Sequence, residues 1–412
     1  MQSIPAAGPP VELTPWRPHP WVLTLGAAAL LGIVIGVLAA LFVPRGPFGE
    51  YRYELWRWQA ETLVPTLADL AGVREPPPPD TAAEAVQRYF ALTSRIRAEE
   101  ASPNPDRALI AALENERATY ENDVERFLEH AISSVVADAG LQRELPLFRA
   151  ITLTWPPVAF ELTSPPRLLV RSPRDRIERI SDTLLKPGLT LDQIEVIERS
   201  ADSAETVSLV VSLGGLAAYP AIVRDDRTYA SVVETAAHEW VHHYLAFYPL
   251  GQQWGKGGEA HTLNETAASI AGREIARLVL ERYPIELPPG ADGSAPPSSR
   301  NPDFDFTAEM RALRLQVDDL LARGQVAAAE QLMEERRLVF VQNGIPIRKI
   351  NQAYFAFYGT YADSPQSSDP IGPLAELLWQ RTGDVGQFLR LMREVRTRAD
   401  LEQLVASLQA TP

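Results

Sequence analysis

The sequence predicts an α+β protein with an N-terminal transmembrane helix, a helical region, and then a domain with a small β-sheet and a mainly helical C-terminal half. Three observations support this prediction. An uncharged apolar run occupies residues 21–43, apolar residues recur at helical spacing across 81–146, and β-branched runs between 151 and 223 are followed by further helical patterns. At 412 residues the chain is long enough for more than one structural unit.

Composition argues against a nucleic-acid partner and excludes any site built on cysteine. The formal net charge of −14 argues against a nucleic-acid partner, because phosphate binding needs a basic surface. The chain contains no cysteine, which excludes disulfides and thiolate metal ligands. Any metal ion must therefore be held by histidine and carboxylate side chains.

The apolar run 21–43 is twenty-three residues without a charge, long enough to span a bilayer and too long for the apolar region of a typical cleaved signal peptide. It predicts a single-pass helix in the cell membrane, preceded by a tail of residues 1–20. The alternative is a buried helix of a soluble domain. Gly32 and Gly36 form a GxxxG pair, which indicates weak homodimerisation in the membrane. The few flanking arginines leave the side of the following domain undetermined.

Residues 44–80 are predicted to be a juxtamembrane segment that ends in a proline-rich linker. The four consecutive prolines within 75–80 cannot continue a helix and act as a stiff spacer. Apolar residues at helical spacing then predict a helical region over 81–146. A larger domain is predicted over 147–410.

Within this domain, strands are predicted in 151–170 and 206–223, with 175–200 largely helical between them. Residues 225–228 offer capping side chains for a helix that begins near Tyr229. After a loop at 287–303, helices are predicted at 306–322 and 325–342 as a hairpin around Gly324, at 350–361, and within 371–408.

Residues 238–242 read HEWVH, which is an HExxH motif. Positions i and i+4 of an α-helix share a face, so His238 and His242 can bind one metal ion while Glu239 lies beside them. Glu265 can supply a third ligand. A site of two histidines and one glutamate keeps a fourth position open, as is typical of catalytic Zn²⁺. The sequence therefore predicts a Zn²⁺ site at His238, His242 and Glu265.

Both halves of this site have a simpler explanation. The two histidines could be structural residues of an ordinary core helix. Thr262 and Glu265 match a capping box, in which the glutamate only satisfies a backbone donor. Small residues near Glu265 on the same helical face favour the metal site, because they let two helices approach closely: Ala268, Ser269, Gly272 and Ala276.

HExxH followed by Asn-Glu on a second helix resembles the gluzincin metallopeptidases, the thermolysin-like and aminopeptidase-like branch of the zincins. The resemblance implies that 147–410 is a zincin-like metallopeptidase domain, with Glu239 as general base beside the three zinc ligands. The thermolysin-like pattern often has an aspartate four residues after the ligand glutamate, where it orients a histidine. Ser269 stands at that position here, and Glu234 is a substitute one turn before His238.

A looser resemblance concerns the sequence Ile-Asn-Gln-Ala at 350–353, followed by Tyr361. It is similar to the C-terminal helix of a bacterial putative aminopeptidase group within the gluzincins, although that group more usually has Asn-Asn-Ala. It implies that Tyr361 donates a hydrogen bond to the oxyanion that forms when water attacks a carbonyl. The alternative donors are Tyr354, Tyr358, His261 and His243, and an aromatic packing stripe is the non-functional explanation.

Residues 214–219 precede the helix that carries HExxH. By the gluzincin resemblance this stretch is a strand that pairs with an extended substrate, and its glycines would allow the substrate backbone to approach. A tight bend between strands is the alternative.

The sequence as a whole predicts a membrane-anchored zinc peptidase that hydrolyses peptide bonds of a peptide or protein substrate. One alternative is a non-catalytic zincin-fold membrane protein that acts as a binding or scaffold module. Another is a helical membrane adaptor without a metal ion.

Overall fold

The computed structural model describes residues 48–70, 79–145, 148–287, 301–361 and 364–409. Of the first fifty residues it describes only the turn at 48–50. The described residues from Tyr51 onward form one compact, mainly helical unit with small β-sheets. This mixture of helices and strands fits the α+β class.

The structure does not support the predicted transmembrane helix. No described helix is both long enough and apolar enough to cross a bilayer. The two longest, Pro79–Glu100 and Glu259–Arg282, carry several charged residues each, which are costly in hydrocarbon. The predicted span 21–43, with its Gly32/Gly36 pair, lies outside the described residues. The fold class is therefore corrected to α+β with no transmembrane helix among the described residues, and the structure does not support the predicted membrane anchor and cell-membrane localisation.

Helices form the first part of the described chain. They are α1 (Leu55–Leu70), α2 (Pro79–Glu100), α3 (Arg107–Ala118) and α4 (Glu121–Asp138). Helix α2 begins at the last of the four consecutive prolines, where the missing N–H costs nothing because the first helical donors have no partner within the helix. The proline-rich stretch before it lies at 71–78, outside the described residues.

The strands form three small sheets in the described chain. Strands β1 (Gln142–Leu145) and β2 (Phe148–Thr154) are an antiparallel pair. Strand β4 (Arg167–Pro173) lies between β5 (Ser181–Leu185) and β6 (Thr206–Ser212), antiparallel to both. Strand β3 (Phe160–Leu162) pairs in parallel with β8 (Ala221–Val223), which pairs on its other side with the antiparallel strand β7 (Gly215–Leu216). Strand β7 is therefore an edge strand.

Helices make up most of the remainder. They are α5 (Leu191–Ala201), α6 (Tyr229–Leu245), α7 (Pro249–Gln252), α8 (Glu259–Arg282), α9 (Phe306–Ala322), α10 (Val326–Gln342), α11 (Gln352–Tyr358), α12 (Ile371–Thr382), α13 (Val385–Met392) and α14 (Arg398–Gln409). The helical hairpin predicted around Gly324 is confirmed, and that glycine has a φ of 71°. The helix predicted at 350–361 is shorter than expected, because the side chain of Asn351 caps its start and Gly359 follows its end.

The prediction that 175–200 is largely helical is wrong. Only α5 is helical there, and β5 pairs along its whole length with β4. Gly188 has a φ of 72° and Thr190 caps α5, so the chain turns before the helix begins. The arginines at 171, 174, 176 and 179 therefore do not lie on a helix face.

Two large hydrophobic cores hold most of the described elements together, and a small third cluster joins α2 and α3. One lies among α2, α4, α6, α8 and the C-terminal helices α12–α14, with β3 and β8 at its side. The other lies between strands β4 and β6 and helices α9–α11. Phe90 of α2 and Leu128 of α4 share the first core with Trp240 of α6, and each such buried side chain contributes about 1.5–3 kcal/mol.

Helices α6 and α8 approach each other unusually closely at Gly272. A Cβ atom added to this glycine would lie 2.9 Å from both the backbone nitrogen and the Cα of His238. Those atoms belong to the backbone of α6 and cannot move aside alone. The small residue that the sequence places in α8 therefore sets the distance between the two helices.

We expect the Gly272→Ala substitution to destabilise the protein by about 1–3 kcal/mol, because the added methyl group forces α6 and α8 apart. Helix propensity alone would predict the opposite, a gain of about 1 kcal/mol. The measurement is the free energy of unfolding in urea. Arg273→Ala is the matched control, since this neighbour is half exposed and should change stability by less than about 0.5 kcal/mol. A Gly272→Ala protein that is more stable than the parent would show that the helices are not in contact there.

Candidate metal centre

Helix α6 presents the two histidines of the HExxH motif on one face. Thr228 caps the helix, as the sequence predicted, and Trp240 and Tyr244 bury its opposite face in the core. His238 and His242 lie one turn apart and point toward α8, with side chains only 16% and 10% exposed. Burial of one face thus fixes the direction of the other.

Glu265 comes from the interior of α8. Because α8 begins at Glu259, Thr262 is not a capping residue, and its hydroxyl donates to the carbonyl of Gly258 instead. The capping-box explanation of Glu265 is therefore excluded. The residue is 7% exposed and its carboxylate faces the two histidines.

The three predicted ligands converge. The Nε2 atoms of His238 and His242 are 3.0 Å apart. The Oε2 atom of Glu265 lies 3.4 Å from the first and 3.6 Å from the second. Two adjacent turns of α6 and one turn of α8 thus direct a nitrogen, a nitrogen and an oxygen to one point.

The electrostatics of this point favour positive charge. Burial lowers the pKa of His242, but the carboxylates of Glu265 and Glu239 and the hydrogen bond to Asn264 together outweigh burial and raise that pKa to about 9. Burial alone would raise the pKa of Glu265, but the imidazoles hold it well below its usual range. A cation between these side chains is therefore stabilised by the protein itself.

One buried polar atom of the site lacks a hydrogen-bond partner in the described part of the chain. It is Oε2 of Glu265, the oxygen that faces the histidines. Leaving a buried carboxylate oxygen unsatisfied is costly, whereas imidazole nitrogen and carboxylate oxygen are both good donors to divalent ions. His238, His242 and Glu265 could therefore hold a metal ion.

His242 is oriented by a residue that the sequence did not predict. Its Nδ1 lies 2.6 Å from Oδ1 of Asn264, so the Nδ1–H donates to the amide oxygen and Nε2 keeps its lone pair for the site. Glu234, the predicted substitute for an orienting aspartate, is exposed on α6. The only sequence signal for Asn264 is its position next to Glu265 on a helix, which does not show that it reaches a histidine.

Glu239 is buried beside the metal ligands. Burial raises the pKa of its carboxyl, and Glu265 raises it further, while the two histidines lower it; the net shift is upward. Its Oε1 is packed against Gly215 of the edge strand β7 so closely that a Cβ there would overlap it and lie 2.8 Å from Cγ2 of Thr235. Gly215 therefore allows the backbone of β7 to pack directly against Glu239.

Among the candidate tyrosines, Tyr361 is the one whose pKa is affected by the carboxylates of the metal site. Burial raises the pKa of its phenol well above the usual value, and Glu265 and Glu239 raise it further. The hydroxyl of Tyr354 instead accepts a hydrogen bond from Nε2 of Gln366 at 3.0 Å. For Tyr358 only burial raises the pKa. Tyr361 lies beyond the end of α11, so it does not continue the helix that carries Tyr354 and Tyr358.

The two other histidine candidates have different surroundings. Nε2 of His243 lies 2.6 Å from the carbonyl oxygen of Ala218 and donates to it, and burial lowers the pKa of this imidazole to about 4. It therefore holds the segment that follows β7. The ring of His261 packs against Trp254 with centroids 4.3 Å apart, and Trp254 in turn lies 5.5 Å from the ring of His242. The partly exposed Trp254 is a wall of the site that the sequence did not indicate.

The chain matches no protein-family model, no curated protein and no solved structure. The interpretation of the site therefore depends on its geometry and chemistry.

We expect Asn264→Ala to weaken metal binding by about 10–100-fold, because His242 would lose the partner that fixes its ring and tautomer. The measurement is the affinity for a divalent ion by competition with a chelating dye. Asn264→Asp is the matched control, since it keeps an acceptor for the Nδ1–H and should retain binding. Equal affinities for the alanine variant and the parent would show that Asn264 does not support the ligand.

Proposed function

We propose that this protein is a zinc-dependent peptidase that hydrolyses peptide bonds, with Glu239 as general base. The observation that carries the proposal is the convergence of His238, His242 and Glu265 with the buried Glu239 beside them. A site that only stabilises the fold has no use for a proton acceptor next to three metal ligands.

The donor set supports zinc in particular. In tetrahedral coordination with bonds near 2.0–2.1 Å, neighbouring donor atoms lie about 3.4 Å apart. The three donor separations here are 3.0, 3.4 and 3.6 Å. Two imidazoles and one carboxylate with no fourth protein ligand in the described chain is a donor set typical of catalytic zinc.

When bound, the metal ion would polarise the scissile carbonyl and lower the pKa of a water molecule. Glu239 takes the proton of the attacking water on its carboxylate and delivers it to the leaving amine. Its raised pKa suits this role, because the carboxylate becomes a better base and its protonated form is held in a dry, buried position.

Two further parts of the chain would serve the same reaction. The phenol of Tyr361 is protonated at neutral pH, as an ordinary tyrosine is, and burial raises its pKa further, so it can donate a hydrogen bond to the oxyanion. The free edge of β7 offers backbone groups beside Glu239, where an extended peptide can add as a further strand. A peptide on this edge has its bonds presented to the general base.

We expect Glu239→Gln to lower kcat for peptide hydrolysis by about 10²–10⁴-fold while the protein keeps one bound Zn²⁺ per chain, because the amide cannot accept the proton. The measurement combines a peptide-library cleavage assay with elemental analysis. Glu234→Gln is the matched control on the same helix, where the side chain is exposed, and it should leave kcat unchanged.

Hydrolysis that persists in zinc-loaded Glu239→Gln would contradict the proposed mechanism. A parent protein that binds zinc but cleaves no peptide in the library would overturn the proposal in favour of a non-catalytic binding module.

We expect Tyr361→Phe to lower kcat by about 10²–10³-fold with zinc content unchanged, because the substitution removes only the hydroxyl donor. Tyr358→Phe is the matched control on the same stretch. If the two variants lose activity equally, Tyr361 acts through packing and not through a hydrogen bond.

A further inference from the structure

A cavity of about 120 Å³ lies at the amino-terminal end of the edge strand β7. Its walls include Arg167 of β4, Arg224 just after β8, and Ser212 and Leu213, which lead into β7. The volume suits a carboxylate or a short side chain, not a whole peptide. None of these residues belongs to the metal centre.

The acidic residues of this cavity are already paired. Asp226 binds the guanidinium of Arg224, and Oδ2 of Asp225 lies 2.5 Å from Nη2 of Arg117 on the neighbouring helix α3. Arg167 differs. Its guanidinium donates to Oγ of Ser212 at 3.2 Å and has no carboxylate partner within the described ranges. The cavity therefore contains one arginine whose charge is not neutralised.

The surroundings of Arg167 add to this imbalance. Burial lowers the pKa of its guanidinium, and the like charges of Arg224 and Arg348 lower it further. Arginine nevertheless stays charged in proteins. An anion in this cavity would neutralise Arg167, which has no carboxylate partner there, and would satisfy guanidinium donors that are partly removed from water.

The cavity lies beside the chain that leads into β7. Leu213 lies two residues before Gly215, whose backbone abuts Glu239. Ser212 ends β6 and the chain bends at Gly214, so with consecutive Cα atoms 3.8 Å apart Leu213 and Ser212 lie at most about 8 and 11 Å from Gly215. Arg167, which donates to Ser212, therefore lies near the amino-terminal end of β7, where an extended peptide on this strand would have one of its ends.

The direction of the bound peptide follows from the charges. A peptide that adds to β7 in the antiparallel sense has its carboxyl end beside the amino-terminal end of β7. A peptide that adds in the parallel sense would place its amino end there, against Arg167 and Arg224. Charge complementarity thus favours the antiparallel sense, which is also the more common pairing.

We propose that the cavity formed by Arg167, Arg224 and Ser212 binds a carboxylate of the substrate, two or three residues to the carboxyl side of the bond that is cleaved. This inference rests on the proposed peptidase function, and it assigns the substrate class as peptides that carry a carboxylate at this distance. Two groups of a peptide can supply this carboxylate: the C-terminal α-carboxylate and an acidic side chain.

The test uses the full-length zinc-loaded protein and matched peptides in which the carboxylate is varied. One pair differs only in a free or an amidated C-terminus, and another differs only in Glu or Gln at the second and third positions after the cleaved bond. We expect kcat/KM to be about 10–100-fold higher for the peptide with the carboxylate, mostly through KM, since a charge-assisted hydrogen bond contributes about 1.5–3 kcal/mol. Preference in the first pair identifies the α-carboxylate, and preference in the second identifies the side chain.

Arg167→Gln should reduce this preference to within about threefold, whereas Arg167→Lys should retain part of it, because lysine keeps the charge but not the fork geometry. Arg171→Gln is the matched control. It removes an arginine from the same face of β4, four residues further along and outside the cavity, and should keep the full preference. No preference in the parent protein, or an equal preference in Arg167→Gln, overturns the proposal.

A binding measurement separates this proposal from the peptidase function. Fluorescence anisotropy with labelled peptides and the zinc-loaded Glu239→Gln protein requires no turnover. The peptide with the carboxylate should bind more tightly, and this difference should disappear when Arg167→Gln is added. That result would support the carboxylate site even if the parent protein cleaves no peptide. Equal cleavage of peptides with and without the carboxylate would support the peptidase function and would overturn the proposal that the cavity binds a carboxylate. Inhibition by millimolar inorganic phosphate, without discrimination between the peptides, would show a small-anion site only and would also overturn it.

Discussion

The close crossing of α6 and α8 is the constraint on which the rest of the site depends. Gly272 lets the backbone of one helix touch the backbone of the other at His238, and this contact brings the donor atoms of two helices within 4.8 Å of one another. A methyl group at the crossing would move Glu265 away from the histidines. The large aromatic residues on the far side of α6, led by Trp240, hold the helix in this position. The hydrophobic core thus determines the distance between polar atoms that lie outside it.

The charged side chains around the site favour a bound cation. Glu265 and the two histidines stabilise a cation between them, and Asn264 fixes the ring of His242 so that the correct nitrogen faces that cation. Glu239 is kept buried at the edge of this group, where burial makes its carboxylate a stronger base. Helix α6 therefore supplies the two histidine ligands and the base, and α8 supplies the carboxylate of Glu265.

The edge strand β7 links the metal centre to the arginine cavity. Gly215 brings the strand against Glu239, and His243 holds the chain that follows through the carbonyl of Ala218. Near the amino-terminal end of the strand, Arg167 provides a positive charge without a carboxylate partner in the described residues. A peptide on this edge would meet the general base in its middle and a cation at its carboxyl end, so that one strand sets both position and direction.

The sequence by itself determined the local features. HExxH on a helix capped by Thr228, the hairpin at Gly324 and the shared face of His238 and His242 all follow from spacing along one helix or turn, where short-range periodicity fixes the geometry. Glu265 lies on a second helix, and it was predicted as a ligand from its motif and its small neighbours rather than from spacing along one helix. Patterns failed where partners distant in the chain decide the outcome. Residues 181–185 became a strand because β4 pairs with them. The membrane span predicted from the apolar run at 21–43 lies outside the described residues, and no described helix could cross a bilayer. Only the tertiary structure decided that Asn264 orients His242, that Gly215 touches Glu239 and that two arginines share a cavity, because each contact joins side chains or backbone atoms that no periodicity relates.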